Sequence, residues 1–228
     1  MAWWGGRLRS WDVWPLTVGA LVPDGFEAYG RLLHPAYSRE DGHVPWSRMA
    51  AWGGRSLEPT SYFGGIAIRG DGIRWHALGS GPPDGEFPGG AVPAAGGGAG
   101  RVHLHAGGRF ALWNGWGDFE IGEDDESAVV EITPRITSSG RRYLLYRGPL
   151  RSITRLRFFG GSFRPPSFWW PEDRSWFVAT EVDAVSTYVG GTGTLIERLR
   201  ATDGLEVLPA GVDDPFDGTH PGQASWRS

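Results

Sequence analysis

Cysteine and lysine are absent from these 228 residues, and asparagine occurs once, at Asn114. Without cysteine there can be no disulfide, thiolate metal site or thiol nucleophile. Without lysine there is no Schiff-base chemistry, no phosphate-cradling P-loop lysine and no phosphate-pairing kinase lysine. All 22 basic residues are therefore arginine. Together with abundant Gly, Ala, Pro and Trp, this looks like the codon bias of a high-GC genome, so the arginines are weak evidence for phosphate binding. Also missing is any apolar run near the roughly 20 residues needed to cross a bilayer. The mildly apolar stretch from Val13 to Val22 is short, follows Asp12 and contains Pro15, which argues against a signal peptide. The expectation is a cytoplasmic protein with no membrane association.

A chain of this length can bury roughly 70–75% of its unfolded surface, enough for one substantial core. With 40% apolar and 21% charged residues it has the composition of a soluble globular protein. The net charge of −4 disfavours generic binding to nucleic acid or anionic membrane. Its distribution is uneven: seven acids and no bases lie between Asp118 and Glu131, and seven arginines and no acids between Arg141 and Arg164. Two such blocks can neutralise each other across a hairpin or sheet.

Gly79–Gly100 holds nine glycines and four prolines in 22 residues, a composition that reads as a loop. Neither flank shows a self-contained pattern, so residues 1–212 are expected to form a single domain carrying that loop, with 213–228 as a poorly ordered tail. The spacing Asp24-Gly-Phe-Glu27 predicts a capping box, followed by a helical face of Phe26, Tyr29, Leu32 and Leu33 that ends at His34-Pro35. Ser47–Trp52 predicts a short helix stopped by Gly53-Gly54. Thr194-Leu-Ile-Glu197 predicts another capped helix. Strands are predicted around 62–68, 73–78, 108–114, 128–133, 142–147, 152–159, 175–184 and 205–208. The fold class is α+β, with mostly antiparallel strands and a few short helices at the edges.

FALWNGWG (110–117), YLLYRGPL (143–150), FWWPEDRSWFVATEVD (168–183), STYVGG (186–191) and HPAY (34–37) resemble an actinobacterial protein family of unknown function. The resemblance spans most of the chain outside the glycine-rich segment and implies no particular activity.

Alternation along a strand Trp176–Ala184 puts Glu181 and Asp183 on one face, roughly 6.5–7 Å apart at Cα. Carboxylates so placed can hold a divalent cation or divide acid and base roles; equally, they can be solvated or paired with arginines of the 141–164 block. Gly190-Gly-Thr-Gly-Thr194 opens a helix, but it lacks the G-x-G-x-x-G spacing, and Thr194 with Glu197 explains it as capping. His103 and His105 share a face if their segment is a strand, the geometry of an HxH metal chelate, although no acidic ligand follows. Arg151, Arg155 and Arg157 alternate among aromatics, as in single-strand nucleic-acid binders, against which stands the acidic balance.

Of the 13 tryptophans, Trp46, Trp52, Trp75 and Trp176 fall in regular elements and read as core. Trp113, Trp116, Trp169 and Trp170 fall at expected turns, where exposed aromatics make binding hot spots. The functional expectation is a binding or adaptor module that meets a protein partner through Trp113, Trp116, Trp169, Trp170, Arg155 and Arg157, with no cofactor. The alternative is an enzyme acting on a small or carbohydrate-like substrate, with Glu181 and Asp183 as acid, base or metal ligands. No nucleophile–base pair can be placed for it.

Overall fold

Ser186–Gly191 (β13) is buried at all six positions. A strand covered on both faces needs a layer on each side, and the sheet around it has one. The computed structural model describes residues 3–4, 6–12, 15–83, 107–116, 119–121, 130–131, 136–138, 141–158 and 165–216. In chain order the other strands are β1 (Ala28–Leu33), β2 (Ala36–Ser38), β3 (Gly42–Val44), β4 (Gly79–Ser80), β5 (Gly107–Trp113), β6 (Phe119–Ile121) and β7 (Val130–Glu131). They continue with β8 (Ile136–Ser138), β9 (Arg141–Pro149), β10 (Leu156–Phe158), β11 (Phe168–Pro171), β12 (Phe177–Thr180) and β14 (Val207–Ala210).

Nine of these make one sheet in the order β14-β1-β13-β12-β11-β5-β9-β7, with β8 also on β9. Every pairing in it is antiparallel. A three-stranded sheet, β3-β2-β4, and the pair β10-β6 complete the strands among the described residues. Short helices α1 (Trp46–Trp52), α2 (Phe63–Ile66) and α3 (Gly193–Arg200) sit at the margins. The chain is α+β, and no helix among the described residues is long and apolar enough to cross a membrane.

The period of two along each strand sorts the core into layers. On one face Leu32, Phe110, Leu112, Trp169, Val178 and Val189 form one buried cluster with Leu195, Ile196 and Leu199 of α3. On the other face Phe168, Trp170, Phe177, Tyr188 and Tyr143 pack under Trp4, Leu16, Val18, Leu21, Val22 and Phe216. A third cluster fills a lobe built from β2, β3, α1, α2 and the 3-10 turn Trp75–Ala77, with Trp46, Met49, Phe63 and Ile66 at its centre.

Several expectations are corrected here. The predicted helix after Asp24 is strand β1, because both of its edges pair, with β13 and with β14. Gly30 lies against Ile196 and Val207, where a side chain would crowd α3. The predicted strands at 62–68 and 73–78 are instead α2 and the turn Trp75–Ala77, and 152–159 starts in a 3-10 turn (Leu150–Arg155) before β10. Helix α3 is capped by Thr192, whose hydroxyl accepts the Leu195 N–H at 3.2 Å, so Thr194 is not its cap. Gly190 and Gly191 belong to β13 rather than to a turn. The C-terminal segment is in place as far as Phe216: Val18 donates to the Asp214 carbonyl, and Phe216 donates to that of Leu16. Residues 84–100 of the expected loop and 217–228 of the expected tail lie outside the described residues.

Candidate functional site

Strand β12 ends at Thr180, short of the two carboxylates. Glu181–Ala184 is a turn, closed by the Ala184 N–H on the Glu181 carbonyl at 3.0 Å. The expected strand through Ala184, with Glu181 and Asp183 side by side on one face, is therefore corrected. Arg141, at the start of β9, gathers the two acids. Its Nη1 lies 2.7 Å from Glu181 Oε1 and its Nη2 2.7 Å from Asp183 Oδ2. The Nη1 contact is one of charge, without the alignment of a hydrogen bond. Glu181 Oε2 accepts the Asp183 N–H at 2.7 Å. The Arg141 guanidinium also stacks over Trp113, 4.9 Å from the ring centroid.

Electrostatics follow from the burial. Glu181 is 3% exposed while Asp183 is 59% exposed. Burial pushes the Glu181 carboxyl above its ordinary range, and the Arg141 charge and the Asp183 N–H only partly oppose that. Both Glu181 oxygens are engaged, so the group works as a strut between β9 and the turn after β12.

The predicted contact residues are divided. Trp169 and Trp170 are each 1% exposed, which overturns their expected place at an open turn. Consecutive residues on a strand point to opposite faces, and this sheet is covered on both, so neither tryptophan reaches solvent. Trp169 joins the buried cluster that includes α3, and Trp170 stacks on Phe177 at 5.5 Å. Trp113 is half-buried beneath Arg141. Trp116 closes the 3-10 turn Asn114–Trp116, Arg155 ends the turn Leu150–Arg155 and Arg157 lies on β10; their side chains are outside the described set. In backbone register Arg157 faces Glu120 on β6, so part of the basic block does meet the acidic one across a sheet. His103 and His105 lie outside the described residues.

A polar line joins the sheet to the lobe. His34 Nδ1 faces the Pro83 carbonyl at 3.1 Å, and Nε2 faces Thr187 Oγ1 at 3.0 Å. A carbonyl can only accept, so Nδ1 carries the proton and Nε2 accepts from Thr187. Thr187 in turn meets Thr180 Oγ1 at 2.7 Å. These groups are fully buried and serve as a seam, although histidine facing a hydroxyl is also how nucleophiles are activated.

No protein-family model, curated protein or solved structure matches the chain.

The sequence reading missed the surface that remains open. Among the described residues the large apolar side chains left exposed are Tyr37 (48%), Leu78 (44%) and Ile73 (41%), all on the lobe. Leu78 borders a groove of about 300 Å³ with Trp52 and Trp75 at its base and Arg39, Glu40, Asp41 and Arg48 around it. Trp52 and Trp75 meet edge to face at 5.6 Å, and Arg48 pairs with Asp41 at 2.7 Å. A second cleft on the lobe, of about 700 Å³, is bordered by α2 and by the segment that follows α1, Gly54 to Ser56. The usable signal was Tyr37: on a strand with Ala36 and Ser38 inward, it has to point out.

Proposed function

We propose that this chain is a cytoplasmic protein-binding module whose contact surface is the lobe, at the groove of Trp52, Trp75 and Leu78. The supporting observation is the anatomy of that groove. It has an aromatic base, an exposed Leu78 and a rim of two arginines and two acids. An apolar centre ringed by charges of both signs is the composition of a protein interface. The acids Glu40 and Asp41 disfavour a nucleic-acid backbone in the same place, as does the net charge of −4. A partner side chain of about tryptophan size fits the groove's volume. This reading moves the contact away from Trp169 and Trp170, which are inside the protein.

The test is affinity capture from host lysate with three baits: the unaltered protein, Leu78→Asp and Trp113→Ala. A partner held near one-to-one by the first and third and lost with Leu78→Asp supports the lobe. Loss with Trp113→Ala and retention by Leu78→Asp would move the contact to the Arg141 cluster. Recovery of the folded protein alone would count against a binding module altogether.

A further inference from the structure

The second cleft on the lobe has a different chemistry from the groove. Arg55 and Arg74 border it, together with the hydroxyl residues Ser56, Ser61 and Tyr62. Among the described residues lining it there is no carboxylate. That is a local reversal in a chain with 26 acids and 22 bases. The nearest acids in sequence lie elsewhere: Asp71 is clamped by Arg69, and Glu58 is outside the lining.

Local geometry brings the two arginines together around Ile68. Arg74 pairs with Ile68 in an isolated antiparallel bridge. Arg55 follows Gly54, which turns the chain at φ +67°, and its Nε points to the Ile68 carbonyl at 3.5 Å. Both side chains are exposed at the cleft. The opposite wall is fixed from below by the buried Arg31. Its Nη1 donates to the carbonyls of Pro59 and Ser61 at 2.9 and 2.7 Å, and its Nε donates to Ser186 Oγ at 3.0 Å. The same guanidinium lies 5.2 Å over the Trp46 ring. The segment carrying Ser61 and Tyr62 is thereby anchored to the sheet before any ligand arrives. Gly65 completes the wall: a Cβ there would come within 2.8 Å of the Tyr62 ring, so only glycine lets that ring lie against α2.

We propose that this cleft binds a small organic oxyanion, a carboxylate or phosphate group joined to a flat apolar body. The Arg55 guanidinium takes the oxyanion, since planar N–H pairs match carboxylate and phosphate oxygens, and Arg74 adds positive charge to the same cleft. The serine hydroxyls add donors, and Tyr62 with Ile68 receives the body. A volume of about 700 Å³ exceeds what a bare inorganic ion fills and falls in the range of small-molecule sites. The site is separate from the groove proposed for a protein partner, and the two stand or fall independently.

The experiment is a calorimetric titration of the full chain with benzoate, phenyl phosphate and neutral benzyl alcohol. Binding of at least one anion and not of the alcohol is expected, with affinity weakened about tenfold or more in Arg55→Gln and in Arg74→Gln. Leu78→Asp should leave that affinity unchanged. Benzoate and phenyl phosphate share a ring, so their ratio assigns the head group as carboxylate or phosphate. Absence of binding by both anions, equal binding of the alcohol, or undiminished affinity in the folded arginine variants would each overturn the proposal. Thermal unfolding of Arg55→Gln and Arg74→Gln establishes that they are folded; both residues are exposed, so little change in midpoint is expected.

Discussion

The Glu206 carboxylate caps the helix that begins at Trp46, although the two residues stand 160 positions apart. Pro45 occupies the N-cap position of α1 and offers no side-chain acceptor. Glu206 supplies one, accepting the N–H of Trp46 at 2.5 Å and of Ser47 at 2.8 Å. Two orphan donors are satisfied, and the negative charge faces the positive end of the helix dipole. Because the Glu206 carbonyl also accepts the Leu33 N–H at 2.9 Å, one residue ties the lobe to the edge of the large sheet. Glu206→Ala should cost about 1–2 kcal/mol, and Glu206→Gln less, since it keeps an acceptor. Urea unfolding measures both, and a neutral alanine variant would mean that packing of Trp46 and Met49 holds α1 unaided.

Glu181 gives the protein a pH dependence of unusual sign. Its folded pKa is raised above the unfolded value, so between the two the folded state holds more protons than the unfolded one. Its contribution is full below the ordinary glutamate value of about 4.3 and is lost as pH rises through the raised folded value. Arg141 and Asp183 are the charged groups that face it. Relative to Glu181→Gln, the unaltered protein should lose stability as pH rises across that window. Urea midpoints of the pair at several pH values measure the difference. Parallel curves, or a gain with rising pH, would mean that attraction to Arg141 outweighs burial.

How much of this arrangement could be read beforehand depends on how local its causes are. The helix ending at Trp52 and strands β5 and β9 follow from nearby apolar spacing and glycine stops, and they lie where the sequence puts them. The pairing of Glu181 and Asp183 with an arginine from the 141–164 block was legible as one of two readings, because the charge blocks are conspicuous. Strand β1 was not legible. Phe26, Tyr29, Leu32 and Leu33 match a helical period, and only the long-range pairing with β13 and β14 overrides it. The lobe was hidden for the same reason: its helices are short, and the cap of α1 comes from Glu206, near the far end of the described chain. The fate of Trp170 rests on an N-terminal segment folding over one face of the sheet, and that of Trp169 on the layer that covers the other face; no local pattern announces either.

Thr187→Val tests the buried seam. The substitution is close to isosteric but removes the hydroxyl that donates to His34 Nε2 and meets Thr180 Oγ1. Leaving a buried imidazole acceptor and a threonine hydroxyl short of this partner should cost about 1–3 kcal/mol. The double variant Thr180→Val with Thr187→Val should cost less than the sum of its parts, because the two hydroxyls share one bond. Chemical denaturation of the two single variants and the double variant measures the coupling, and strict additivity would show that the seam is two unrelated contacts.

Trp169→Ala separates a core role from a surface role. The side chain is 1% exposed, its β11 neighbours in register are Phe110 on β5 and Val178 on β12, and it lies in one buried layer with Leu195, Ile196 and Leu199. Removing it opens a large cavity in that buried layer, a change that costs about 3–5 kcal/mol. A protein of ordinary stability, about 5–15 kcal/mol, survives that loss with a lowered unfolding midpoint. The folded fraction should bind any lobe partner as the unaltered protein does, since Trp169 contributes nothing to the groove of Trp52, Trp75 and Leu78. Urea unfolding and partner affinity, measured on the same preparation, therefore move apart: stability falls sharply and affinity per folded molecule stays. The opposite pattern, unchanged stability with lost affinity, would require Trp169 to reach solvent, and it would overturn the two-sided burial of β11 on which the assignment of the contact surface to the lobe depends.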